Sequence, residues 1–484
     1  MNKEINQSPN ILWICTDQQR YDTLRCYGNE WVQTPGLDWL TNQGVVFEHA
    51  YSQSTICTPS RASFLTSRYP RTTRCRQNGQ SIPPDEVLIP RILAEHGYIC
   101  GLSGKLHVSA CHPSVCKGME RRINDGYHDF HWSHDPYPNW TTNEYLLWLR
   151  EQNQTFGSQE HPCSSHVRYG MPEPYHQTTW CVQQALNFIE AHQESESPWL
   201  YSINLFDPHH GFDPPKTYLD KYFDCIDSIP LPNCTPDEWD RKTIFQERDS
   251  HGAYNTPGYL AYQEMTDQDH KWLRAAYWAM CELIDHQVKR LWHALEHTNQ
   301  LHNTLIIFMS DHGEMLGDHG VYLKGPHLYD PAVHVPLLMA KPGLIPAGKR
   351  YSHLVELVDI APTVLDIIGI PHHPGMQGKS MLPLFTHNMQ ASHREHVYCE
   401  YYNGMHNHQN PMCYATMLRT EQYKLIVYHT LDAGELYDVI NDPAEQINLW
   451  NDQAYHEIRF DLLMHLSHRM AFTADPLPER EAPW

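Results

Sequence analysis

Asn10-Ile11-Leu12-Trp13-Ile14-Cys15-Thr16 is an unbroken, mostly apolar run that ends in Asp17. Its length and composition predict a strand buried on both faces, with a carboxylate at its C-terminal tip. Three further runs read alike: Pro198–Phe206 leading into Asp207, Thr304–Ser310 leading into Asp311, and His334–Ala340. Helical patterns separate them, the longest from about His270 to His297. Continuous apolar strands alternating with helices predict an α/β fold, a mostly parallel central sheet flanked by helices. In such sheets polar chemistry collects beyond the C-terminal strand ends, where Asp17 and Asp311 fall.

The pattern changes near residue 370. A helical stretch from Asp359 to Ile368 stops at Gly369, and Pro371 and Pro374 follow. Beyond them Ala415–Arg419 and Tyr423–Tyr428 read as paired strands, and Gly434–Trp450 as strand, turn and amphipathic piece. The expected organisation is an α/β domain over residues 1–370 and a smaller α+β domain over residues 371–484.

Composition narrows the class. With 41% hydrophobic and 19% charged residues over 484, the chain can bury a sizeable core. No apolar stretch reaches the roughly 20 residues of a membrane-spanning helix. The run Ile11–Cys15 is too short for a signal-peptide core, so a cytoplasmic protein without membrane attachment is expected. The formal charge of −22 disfavours nucleic acid. A small anion remains a fitting ligand if a few cations converge in one pocket. The 14 cysteines include no Cys-x-x-Cys, and only Cys111 and Cys116 lie close together, which suits a reducing compartment better than a zinc ribbon or disulfide scaffold.

Cys57-Thr58-Pro59-Ser60-Arg61 is the sharpest local signal, continuing through Ala62-Ser63-Phe64-Leu65-Thr66-Ser67-Arg68-Tyr69-Pro70. Pro59 suits a first helical turn, so Cys57 falls at a helix N-terminus, where free N–H groups and the dipole favour an anion. Arg61 follows one turn later and could project from the same face toward that anion, helping to hold it. The string resembles the signature of type I sulfatases in the alkaline-phosphatase superfamily, with Ser67 standing where that family usually has glycine. The resemblance implies an alkaline-phosphatase-like fold and conversion of Cys57 to formylglycine by a formylglycine-generating enzyme. The chemistry suits the modification: a hydrated aldehyde offers one hydroxyl to attack sulfur and a second whose deprotonation expels sulfate, a release that a thiol lacks.

The same resemblance implies the rest of the site. Asp17-Gln18 and Asp311-His312 match the family's two metal-ligand pairs, which with residue 57 would hold a divalent cation. Calcium is expected, and one imidazole ligand leaves manganese and magnesium open. Asp318-His319-Gly320 repeats the Asp311-His312-Gly313 string, but only the first copy ends an apolar strand, so the second is read as structural. Lys105 and His107, after a strand expected at Tyr98–Leu102, match a sulfate-binding lysine and its neighbouring histidine. Asp207-Pro208-His209-His210 resembles the segment supplying a leaving-group histidine, assigned to His209 with His210 as competitor. Lys324 matches the lysine that bridges sulfate and leaving group. Gly434-Glu435-Leu436-Tyr437-Asp438 resembles the family's C-terminal part, so the likeness spans nearly the whole chain.

The implied reaction is hydrolysis of a sulfate ester. Arg71, Arg74, Arg76, Lys117, Arg121 and Arg122 follow the two motif segments and are candidates for reading further anions on a glycan. With 28 Tyr and 14 Trp for sugar stacking, they favour a sulfated carbohydrate, with aryl and choline sulfates open. A phosphonate monoester or phosphodiester hydrolase, and a non-catalytic binder of sulfated glycans, remain alternatives.

Overall fold

The computed structural model describes residues 8–386 and 392–482. Its strands are β1 Asn10–Thr16, β2 Val45–Tyr51, β3 Ile99–Gly104, β4 Asp129–Trp132, β5 Gln159–Glu160, β6 Arg168–Tyr169, β7 Trp199–Asn204 and β8 Thr304–Ser310. They continue with β9 His334–Val335, β10 Leu337–Ala340, β11 Lys349–Glu356, β12 His396–Tyr402, β13 Tyr414–Thr420, β14 Tyr423–Tyr428 and β15 Ala433–Asp438.

The central sheet runs β11-β2-β10-β8-β1-β7-β3-β4, with β9 beside β2. As expected, β1 lies parallel to both β7 and β8, and β3 parallel to β7. Along β1, Ile11, Trp13 and Cys15 enter one hydrophobic cluster while Leu12 and Ile14 enter another. Two buried faces account for an apolar run without alternation. The helix Asp267–His297 covers one of those faces, and Thr266 caps it by accepting from Asp269 N.

One expectation is corrected. The run His334–Ala340 is not one parallel strand: Pro336, which has no N–H to donate, separates β9 from β10, and β10 lies antiparallel to both β8 and β2. The sheet is therefore mixed.

Strands β12 to β15 form a second, antiparallel sheet. Its Val397, Tyr401, Met417 and Ile426 pack toward Tyr51 and Ile56 of the first part of the chain. On the opposite face Tyr398, Leu418 and Leu425 meet Leu462 and Leu466 of the helix His456–Phe472. Among the described residues no helix is long and apolar enough to cross a membrane.

Candidate active site

Residue 57 opens the helix Cys57–Thr66, all ten residues of which are buried. Ile56 precedes it in an extended conformation and its own side chain provides no cap; instead Thr58 N donates to Asn78 Oδ1 at 3.0 Å. Phe64 anchors the helix under the sheet, its ring 5.9 Å from that of Trp13. Burial of a side chain of that size stabilises by about 2–3 kcal/mol. Ser67 ends the helix at φ 58, a left-handed conformation usually left to glycine. Its hydroxyl donates to Val358 O at 2.7 Å and accepts from Gly378 N at 3.1 Å, which accounts for serine there.

The adjacent, parallel β1 and β8 carry Asp17 and Asp311 to the same C-terminal end of the sheet, beside Cys57. Cys57 Sγ lies 3.1 Å from His312 Nε2, 3.5 Å from Asp17 Oδ1 and 2.8 Å from Lys324 Nζ. Lys105 Nζ donates to Asp17 Oδ2 at 2.6 Å. Arg61 lies beneath, its Nε on Asp311 Oδ2 at 2.8 Å, Nη2 on Asp17 Oδ2 at 3.3 Å and Nη1 on Lys105 O at 2.8 Å. Burial works against the Asp17 carboxylate, but Lys105, Lys324 and Arg61 among its neighbours outweigh it and hold its pKa well below the usual range. Burial and Asp17 likewise raise the Cys57 thiol, and Lys105, Lys324 and His312 bring it below its ordinary value.

The donor set fits a divalent cation. Asp17, Cys57, Asp311 and His312 each offer an atom within 4.8 Å of the others. His312 Nδ1 lies 2.9 Å from Gly313 O; donating there leaves the Nε2 lone pair facing the cluster. Gln18 Oε1 is buried without a partner, while Gln18 Nε2 is engaged by Glu314. Two carboxylates, an amide oxygen and one imidazole suit a hard or borderline ion. Gln18, His107 and Leu323 all hold positive φ, at 69, 52 and 67. Strained backbone thus clusters beside the groups that define the site.

Above Cys57 opens a pocket of about 700 Å3. Lys105, His107, His209, His210 and Lys324 all line it. His107 Nε2 lies 3.1 Å from Thr58 Oγ1, next to residue 57. His209 Nδ1 lies 2.9 Å from His210 O, and the two rings stack at 4.0 Å. Burial lowers the pKa of both, to about 3 for His210 with Lys324 adding to it, so each is neutral in the free site.

The cationic clusters do not reach this pocket. Arg71 pairs with Glu400 at 2.7 Å, Arg74 with Asp85 at 2.7 Å and Arg122 with Asp125 at 2.5 Å. Arg76 lies 4.0 Å over the Tyr402 ring, Arg121 donates to Ile82 O, and Lys117 is exposed. Among the described residues no tryptophan lines the pocket; its aromatic surface comes from Tyr137, Phe206, Tyr254 and Tyr259.

Two carboxylates go unmarked by any spacing rule. Glu314 orients Gln18 and also accepts from Leu316 N at 2.8 Å and Leu323 N at 2.5 Å, tying the Gln18 amide to the Lys324 loop. Glu120 accepts from His107 N, Val108 N, Ser109 N and Trp132 Nε1 between 2.8 and 3.3 Å. Glu120, Cys111 and His134 each offer a donor atom within 4.8 Å of the others. Four donors occupy the roughly four lone-pair sites of a carboxylate, so Glu120 is a strut under His107.

Residues 9–370 match the family described as Sulfatase. The chain belongs to the sulfatase family. As a member it is a sulfuric ester hydrolase. Residues 317–471 also match the family described as N-sulphoglucosamine sulphohydrolase, C-terminal. An arylsulfatase of Clostridium perfringens is 30% identical over 470 residues, covering 94% of this chain and 92% of the relative. An N-acetylglucosamine-6-O-sulfatase of Bacteroides thetaiotaomicron is 25% identical, covering 99% and 89%. In fold, a phosphonate monoester hydrolase from Silicibacter pomeroyi superposes with a TM-score of 0.82 at 24% identity, over 97% of each chain.

Proposed function

We propose that this sulfatase hydrolyses a sulfate ester on a carbohydrate, using residue 57 after its conversion to formylglycine together with a divalent cation. The observation that carries the reading is the position of Cys57 Sγ, at the floor of the pocket within 3.5 Å of His312, Asp17 and Lys324. A hydrated aldehyde there supplies a hydroxyl nucleophile and a second hydroxyl that lets sulfate leave. Asp17, Gln18, Asp311 and His312 would hold the cation, calcium in the first instance, which supplies Lewis-acid neutralisation of charge on the sulfuryl oxygens.

The chain's own groups divide the remaining work. Lys105 and Lys324 hold the ester anion and oppose the charge that develops on it. Arg61 braces the two aspartates from below and fixes their spacing. His209 donates a proton to the departing alkoxide; a bound anion raises its affinity for that proton, offsetting the burial that keeps it neutral in the free site. His107, held by Glu120 and Thr58, orients residue 57. The relative named for N-acetylglucosamine-6-O-sulfate cleavage supports a sugar substrate.

The test is protein co-expressed with a formylglycine-generating enzyme. A peptide containing residue 57 with sulfur replaced by oxygen and two hydrogens lost, and turnover abolished in Cys57→Ala, are the expected results. An unmodified thiol in protein that turns over at full rate would sink the reading. Sulfate and phosphonate esters of one alcohol, run side by side, separate it from phosphonate hydrolysis.

A further inference from the structure

The fixed charges of the pocket are unevenly placed. Its two lysines, Lys105 and Lys324, both lie on the floor against Asp17 and Cys57. Among the described residues no arginine lines the walls, and Asp135 is their one acidic side chain. Asp135 Oδ1 accepts from Tyr137 N at 2.9 Å, which fixes the carboxylate in the wall. The rest of the wall mixes histidines with apolar and aromatic side chains, among them Tyr137, Phe206, Tyr254 and Met405.

We propose, on the basis of the sulfatase reading above, that the pocket selects a saccharide carrying one sulfate, the one cleaved, and that Asp135 excludes substrates bearing a second anion. The rings of Tyr137, Phe206 and Tyr254 offer apolar faces against which a neutral sugar ring can pack. A second sulfate entering the same space would shed its water opposite a carboxylate, with no lysine or arginine among the described wall residues to receive it. Burial pushes Asp135 up to about 6, which still leaves it ionised at neutral pH.

The experiment compares N-acetylglucosamine 6-sulfate with glucosamine 2-N,6-O-disulfate, which differ only at the 2-amino group. Their dissociation constants are measured by calorimetry on full-length Cys57→Ala protein, which binds without turnover. Hydrolysis of 4-nitrophenyl sulfate by the matured enzyme is followed separately. The monosulfate is expected to bind about tenfold more tightly or better. Asp135→Asn should bring the two within about threefold, while Asp135→Glu, which keeps the charge, should preserve the gap. Equal affinities, tighter binding of the disulfate, no binding of either sugar, or a gap unchanged in Asp135→Asn would each overturn the proposal. Failure to hydrolyse the aryl ester bears on the sulfatase reading alone, because the binding ratio is read without turnover.

Discussion

Asp-His-Gly occurs twice within ten residues, and the two copies do different work. Asp311 ends β8 and is clamped by Arg61 Nε, Gln18 N and His312 N, with His312 turned toward Cys57. Asp318 lies in a short 3-10 turn, where it pairs with Arg20 at 2.7 Å and Arg274 at 3.2 Å and accepts from Asn233 N. His319 contacts Glu238 and stacks on Tyr329 at 4.0 Å, well inside the packing. Both glycines are sterically required. A Cβ at Gly313 would meet Pro331 O at 2.0 Å, and one at Gly320 would meet the Trp239 ring at 2.4 Å. Identical strings are therefore told apart by what precedes them: a strand end delivers the first to the C-terminal end of the sheet, and a turn folds the second into ion pairs.

The most severe way to break this contrast is Asp311→Asn. Turnover of an aryl sulfate should fall about a thousandfold or more, equivalent to about 4 kcal/mol in the barrier, measured on protein whose circular dichroism is unchanged. Asp318→Asn should instead leave the specific activity of folded protein intact. It should lower stability by about 3 kcal/mol in denaturant titration, since two nearly buried guanidinium groups lose a charged partner. Its pH dependence sharpens the contrast. Burial raises Asp318, but Arg20 and Arg274 outweigh it and hold its pKa below the ordinary carboxylate value. The stability it contributes is then fully present above the unfolded pKa of about 4 and is lost as pH falls through the folded value. The gap between wild type and Asp318→Asn should stay constant down to about pH 5 and shrink below about pH 4. Smallest is the histidine pair. His312→Ala should weaken calcium or manganese binding about tenfold by calorimetry, while His319→Ala should leave it unchanged.

Much of the site was legible because it hangs on strand ends. Apolar runs stopping at Asp17 and Asp311 locate the C-terminal strand ends, and a proline two residues after Cys57 locates a helix start. The direction of β10 was hidden, since a buried run reads alike in either direction and the meaning of Pro336 depends on its neighbours. Glu120 and Glu314 were hidden for another reason: their partners are mainly backbone N–H groups, which leave no trace in side-chain pattern. Arg71 misled because its partner, Glu400, lies 329 residues away. Nearness to a motif in the chain says nothing about which carboxylate the fold will bring.

The helix carrying Cys57 lies inside the protein along its whole length, so the conversion proposed for residue 57 would make synthesis a race. A modifying enzyme would have to reach the motif before the fold buries it. The deadline would be set by the moment strands β1 and β8, which meet only after some 300 residues have been made, close over the helix. Under that proposal, molecules that fold first would keep their thiol. The active fraction of a preparation would then record how fast the chain was modified relative to how fast it folded.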